Sequence, residues 1–449
     1  MIIPTPLRHA MKKTTFLTSS GLLLFGLSVI SQYSSATGFL PQEPRAMAMG
    51  GAGVAVGNSR QAHYYNPSLL VNAREDEDFN FEIDAAVRLS DSDGLADGVS
   101  DFVDDNPSTA LFNSFIEYDT ARQQGDPDAT VIALHAMGSA TKTLQDLLPG
   151  VTGKSLTADG NLGVFASVPN KNISWAAYGN LWTNIGSQGN LAPDDNALMT
   201  DVVTISESVN NATDLDNLTA DQLNTLITFD PEQSLESSIS IKGIAVREIG
   251  IALAKKQTIN NYDLNIGLTP KILMTTTFGI ERNLKQIEDG LELTEQDNTI
   301  NSTKFNIDLG ISKALDENMT TGLVIKNLIP LSFDRDIKIA PAARIGMAWR
   351  NSWVATGIDL DLTKNQDAAS LTETRFLSLG AEADVLFLQL RGGYRHNFAG
   401  SGGGGPSVGL GLYLGGLNLD AAIATNSVYP SEITNADNLN ASAQLGFNW

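Results

Sequence analysis

The chain has 449 residues, 42% of them apolar, a formal net charge of −22 and no cysteine. The missing thiols exclude disulfides, thiolate metal sites, iron–sulfur ligation and thiol nucleophiles. The negative charge argues against a nucleic-acid partner, whose phosphates it would repel.

Residues 1–36 have the layout of an export signal. Arg8, Lys12 and Lys13 form a basic start, Gly21 to Ile30 an apolar core, and Ser34-Ser35-Ala36 a small-residue cleavage site. Met11 serves equally well as a start. The apolar core is shorter than the ~20 residues of a spanning helix. No long apolar run occurs after it, so any membrane span in the remaining chain has to be built from strands.

The next stretch, residues 37–78, contains "MGGAGVAVGNSRQAHYYNPSLL". Its glycines suggest a dinucleotide turn, but Gly51 and Gly53 are succeeded by Val56 where the third glycine is required. Pro41 and Pro44 also exclude a buried strand leading in. The segment is distinct in composition from the chain beyond Phe79 and binds no cofactor by this reading.

From Phe79 onward, period-two alternation dominates. "FNFEIDAAVRL" puts Phe79, Phe81, Ile83, Val87 and Leu89 on one face and Glu82, Asp84 and Arg88 on the other. "KFNIDLGIS", "GIDLDL" and the closing "LNASAQLGFNW" repeat the pattern. Further strands are predicted near 160–169, 172–185, 235–245, 248–257, 262–281, 319–328, 340–350, 373–383, 386–396, 406–414 and 417–425. The segment 262–281 contains Pro270 and reads as one strand or two.

Short connections at Pro169–Asn172, Val246–Glu248, Ala314–Asn318, Arg350–Ser352 and Gly415-Gly416 alternate with long ones. These are 91–159, 186–233, 282–302, 364–372, 397–405 and 426–437. This is the layout of an all-β, single antiparallel up-and-down transmembrane β-barrel of about 14–16 strands over residues 79–449. Helical patterns inside 91–159 and 186–233 fit either a cap over one mouth or insertions that pack on themselves. Trp349, Trp353, Phe387 and Trp449 lie at predicted strand ends, where a membrane interface favours aromatic rings.

The polar strand faces carry Glu82, Asp84, Arg88, Asp308, Asp359, Asp361, Glu382, Asp384 and Arg391, expected to line a wet lumen. Carboxylate pairs such as Asp359/Asp361 are compatible with acid–base chemistry, but lumen lining explains them as well. "LLPGVTGKS" lacks the first glycine of a P-loop, with Leu148 in its place. "DSDGLADGVSDFVDD" fits no EF-hand register. His63, His135 and His396 form no metal-binding pair, and no nucleophile elbow occurs. The sequence predicts no enzyme, metal or cofactor.

The segment "GFLPQEPRAMAMGGAGVAVGNSRQAHYYNPSLL" resembles the N-terminal signature of the conjugal-transfer TraF-like outer-membrane family, related to FadL-type long-chain fatty-acid transporter barrels. The matching features are Arg45 ahead of Met49-Gly50-Gly51, then Ala62, Asn66 and Pro67. "TTGLVIKNLIP" (Thr320 to Pro330) is similar to a strand that recurs there. The resemblance implies a barrel of about fourteen strands in a Gram-negative outer membrane, in contact with its lipid, with the glycine-rich segment folded inside as a plug. Arg45, Met49, Gly50, Gly51, Gly53, Gly57, Asn66 and Pro67 are its expected structural or gating residues. It further implies passage or binding of small hydrophobic molecules. The alternative is a structural or accessory barrel in an envelope complex for conjugation or secretion. An acidic soluble β-protein is a third option. A thioredoxin-like conjugation protein shares the family's name, and a chain without cysteine cannot perform its thiol exchange.

Overall fold

A computed structural model describes residues 39, 43–73, 78–91, 93–170, 172–288, 299–334, 337–366, 373–399, 404–426 and 439–448. The expected export signal at residues 1–36 and Trp449 lie outside these residues.

In chain order the strands are β1 (Asn80–Ser90), β2 (Ser155–Val168), β3 (Ser174–Asn190), β4 (Ser238–Ile259), β5 (Tyr262–Asn283), β6 (Ile300–Ala314), β7 (Met319–Lys326), β8 (Leu331–Ser332) and β9 (Lys338–Ile339). They continue as β10 (Ala342–Arg350), β11 (Val354–Asp361), β12 (Asn365–Gln366), β13 (Glu373–Thr374), β14 (Phe376–Val385), β15 (Leu388–Asn397), β16 (Gly405–Leu414), β17 (Leu417–Thr425) and β18 (Leu439–Asn448). Fourteen of them close one antiparallel barrel, while β8–β9 and β12–β13 form two small hairpins in its loops. The barrel seals where β1 meets β18, with Asn80 opposite Asn448.

Alternation decides which residues face out. Ile83, Leu162, Leu181, Ile249, Ile251, Ile272, Phe305, Ile345, Ile358, Leu379, Leu390, Val408, Ile423 and Leu445 are all exposed on the outer wall. An exposed apolar band around a closed barrel is the surface that lipid covers, so this is a transmembrane barrel. Trp175, Trp349, Trp353 and Phe387 are exposed near the short-turn end, where a headgroup interface favours them.

The structure corrects the sequence reading at two strand boundaries and settles a third that was open. The turn expected at Val246–Glu248 is absent: β4 runs unbroken through it, with Glu248 facing Leu273 of β5. The polar pair Arg247-Glu248 mimics a turn, yet Glu248 points inward to an ion pair with Lys271. Nor does Pro270 divide β5. It lacks an N–H, and the β4–β5 pairing lapses only there, between Gly250–Lys271 and Leu253–Leu268. The first strand starts at Asn80 and not at Phe79.

β4 and β5 are 22 residues long, about twice the ~9–11 that cross a bilayer. The excess projects mainly beyond the long-loop end. There the outer face of the sheet is covered by helices: α2 (Leu95–Asp105), α3 (Pro107–Gln124), α4 (Pro127–Val151), α5 (Pro193–Ser208), α6 (Ala212–Asp216), α7 (Ala220–Thr228), α8 (Pro231–Ser234) and α9 (Leu284–Glu288). The first helix, α1 (Pro44–Ala48), lies elsewhere. Ile239, Ile241 and Ile280 share one apolar cluster with Leu111, Leu134, Met137, Met199 and Val202. The three isoleucines lie on the same faces of β4 and β5 that are exposed lower down at Ile249 and Ile272. The helices thus flank the projecting sheet on its outer side. Residues 91–154 and 191–237, which carry α2 to α8, contain 21 acidic and three basic residues. Most of the chain's net charge therefore resides off the membrane wall.

Candidate functional site: the luminal segment and its seat

Residues 43–70 lie inside the barrel, and all of them except Asn58 are buried. The segment starts with α1, whose first turn is capped by the Glu43 carboxylate accepting from Arg45 N (2.8 Å) and Ala46 N (2.7 Å). Gly50 and Gly51 then turn the chain at φ of +67° and +89°, a conformation open to glycine at little cost. Asn58 caps a short 3-10 turn with Gln61, and Asn66 caps a second one over Pro67–Asn72.

The wall is shaped to this backbone. Eight neighbouring strands (β5, β6, β7, β10, β11, β14, β15 and β16) each turn a glycine toward the segment. These are Gly267, Gly310, Gly322, Gly346, Gly357, Gly380, Gly393 and Gly409. A Cβ on Gly393 would lie 2.1 Å from Gly50 N, and one on Gly267 would lie 2.3 Å from Ser68 N. The segment touches these seats with Ala48 at Gly409, Met49 at Gly380, Val54 at Gly346, Val56 at Gly357, Asn66 at Gly310 and Pro67 at Gly267. Two glycines of the segment act within it, Gly53 making room for the Tyr65 ring and Gly57 for Leu69.

Buried charge fixes it further. Arg45 makes a two-pronged ion pair with Glu382, at 2.7 and 2.8 Å, and Glu382 also accepts from Arg391 Nε at 2.6 Å. Arg391 in turn pairs with Asp420. Asp359 accepts from Gly53 N and Val54 N at 2.8 and 2.9 Å. Tyr64 donates to Asp84 at 2.7 Å, and Arg60 lies 3.3 Å from Glu82. Arg344 donates to Gly51 O and pairs with Asp361 at 2.6 Å. Asn66 Nδ2 donates to Val54 O at 2.9 Å. Lys271 pairs with Asp308 and Glu248, and Arg88 with Asp159. Asp384 lies nearest the short-turn end, in a 190 Å³ polar recess lined also by Arg45, Arg60 and Arg350.

All nine charged residues expected on the lumen side do point inward. Apart from Asp384 they are packed against partners. Sequence reasoning missed Arg344, Arg350, Lys271, Glu248 and Asp420, although their strand parity marks them as inward. His63 lies in an aromatic cluster with Tyr64, Phe165 and Tyr178. It stacks on Phe165 at 4.3 Å between ring centroids, and burial lowers its pKa to about 3, with Lys326 adding to the effect. The imidazole is neutral at ordinary pH.

Toward the long-loop end the lumen changes character. Past the Lys271–Glu248–Asp308 row, the inward residues Trp182, Ile244, Val246 and Leu273 form an apolar wall. The β8–β9 hairpin presses Leu331, Phe333, Ile337 and Ile339 onto it. Among the described residues no group of histidines and carboxylates has the geometry to hold a metal.

Comparison with known proteins gives the following similarities. Among solved structures, the TodX deltaS2S3 mutant monoaromatic hydrocarbon channel aligns at 12% identity and a TM-score of 0.48. That alignment covers 90% of this chain and 98% of the other. The deltaS2 mutant of TodX gives 11% identity and 0.44, over 93% and 97%. A mutant of the Rh. blastica porin gives 6% and 0.29, over 83% and 99%. No curated protein matches the chain. The sequence model of the F plasmid transfer operon TraF protein matches residues 63–361, well over half of the chain. The chain belongs to that TraF family.

Proposed function

We propose that this protein is an outer-membrane barrel that binds small hydrophobic molecules and passes them by an N-terminal plug. The observation that carries the reading is the apolar wall of Trp182, Ile244, Val246 and Leu273 inside the lumen, on the long-loop side of the segment seated on the glycines. A water-filled pore has polar inward faces, whereas apolar inward faces suit a hydrophobic ligand. The short turns face the periplasm and the helices the exterior, as in other barrels of this type. Apart from Asp384, the inward charges named above pair with one another, with the wall or with the segment, which supports a binding and passage role over catalysis.

The test uses the mature barrel in lipid nanodiscs with N-phenylnaphthylamine, an apolar dye that brightens on leaving water. Saturable binding is expected, weakened at least tenfold by Leu273→Asp. Deleting Met49–Leu70 is expected to raise ion conductance in a planar bilayer. Absence of dye binding, together with unchanged conductance after the deletion, overturns the reading.

A further inference from the structure

On the outer wall, Thr356 of β11, Ala381 of β14 and Gly392 of β15 stand side by side in register. Around them the same face carries bulky groups: Met347 and Trp349 of β10, then Ile358, Leu379 and Tyr394. Short side chains among long ones leave a concavity of 520 Å³, within the ~300–1,000 Å³ of ligand sites. Its floor crosses three strands, about 10 Å at the usual spacing.

The floor is closed from behind. One position along each strand, Gly357, Gly380 and Gly393 face the lumen, and Val56, Met49 and Gly50 of the segment press on them. The groove therefore opens only to the barrel's surroundings. Leu390, Val408 and Leu410 continue the exposed apolar band beside it, and no charged side chain lines it. Nothing in it would hold a headgroup; it suits hydrocarbon. A second barrel presents a convex wall, which meets this one along a ridge, whereas a flexible chain fits along the groove and gains dispersion contacts over its length.

We propose that this groove holds one acyl chain of a bilayer lipid in preference to the rest of the wall. The proposal rests on the transmembrane setting of the barrel. Trp349, at the end of the groove, is a built-in reporter. Trp175 is its control: it is also exposed on the outer face and also lies next to the short-turn end of its strand, but it does not line the groove.

Two single-tryptophan variants retain Trp349 or Trp175, with the other four tryptophans replaced by phenylalanine. Each is reconstituted in phosphatidylcholine nanodiscs in which a tenth of the lipid carries bromines at mid-chain, a contact quencher of indole fluorescence. Trp349 is expected to be quenched at least threefold more than Trp175. Ala381→Leu, which fills the floor, is expected to reduce it to the Trp175 level, and Gly392→Leu repeats the test if the first variant does not assemble. Equal quenching of both tryptophans that ignores these substitutions overturns the groove and leaves the membrane setting standing. Weaker quenching at Trp349 than at Trp175 also overturns it, in favour of a second copy covering the face. No quenching of either overturns the membrane setting and the groove together.

Discussion

Two inserts share the lumen and are held in different ways. The N-terminal segment lies close against eight glycine seats, at Gly267, Gly322 and Gly393 backbone to backbone, and is pinned by buried charges. The β8–β9 hairpin rests mainly on apolar side chains, with Lys304 Nζ donating to Ser332 O at 3.1 Å. Close packing and ion pairs are directional, so the segment has one position in which all of them are satisfied. Apolar contact is non-directional and tolerates shifts. The lumen thus combines a fixed insert with an adjustable one, and the adjustable one lies nearer the long-loop end.

The largest effect should come from the ion pair of the fixed insert. Glu382→Ala leaves Arg45 and Arg391 buried with fewer partners, and breaking a buried pair costs ~3–5 kcal/mol. The expected result is a lower urea midpoint of the reconstituted barrel and a rise in conductance. The double variant Arg45→Met, Glu382→Met removes the orphan charge on the segment and should recover part of that loss. An unchanged midpoint and conductance for Glu382→Ala would show that the segment is not held by charge.

A smaller effect is expected from the seat itself. In Gly393→Ala the new methyl meets Gly50 N at 2.1 Å. That contact involves backbone on both sides and cannot be relieved by a rotamer change. Overpacking of this kind costs about 1–3 kcal/mol. Gly392→Ala, one residue away with nothing within 4 Å of its Cβ, is the control and should behave like the parent. Equal behaviour of the two variants would remove the glycine seat from the account.

The seat also shows how far the sequence could be read. The alternation at Phe81, Ile83 and Val87 revealed a strand, and the Met49–Leu70 signature revealed a distinct N-terminal segment, because both signals are local. Glycines 310, 322, 346, 357 and 380 stand singly on five strands, and they form one belt with Gly393 only when the barrel closes. Glu248 and Lys271 are 23 residues apart in sequence, so their pairing depends on the β4–β5 register, and without it Arg247-Glu248 passes for a turn. The inward charges could be picked out by parity, but their burial could not, since the residues that cover them come from the segment.

The smallest effect on the barrel as a whole, and the sharpest contrast, is expected at the hairpin. Ile337 is buried against the apolar wall, and Ile337→Ala removes about 2 kcal/mol or more of contact. A hairpin held apart from the strand ladder opens locally before the barrel unfolds. The loss should therefore appear as ~30-fold faster amide exchange at Phe333, 1.4 kcal/mol being a factor of ten, while the urea midpoint stays at the parent value. Dye binding should change in the same variant, because the hairpin covers the wall on which the dye is proposed to bind. If the midpoint falls as far as it does for Gly393→Ala, the hairpin is as much a part of the barrel's cooperative structure as the segment, and the contrast between a fixed and an adjustable insert fails.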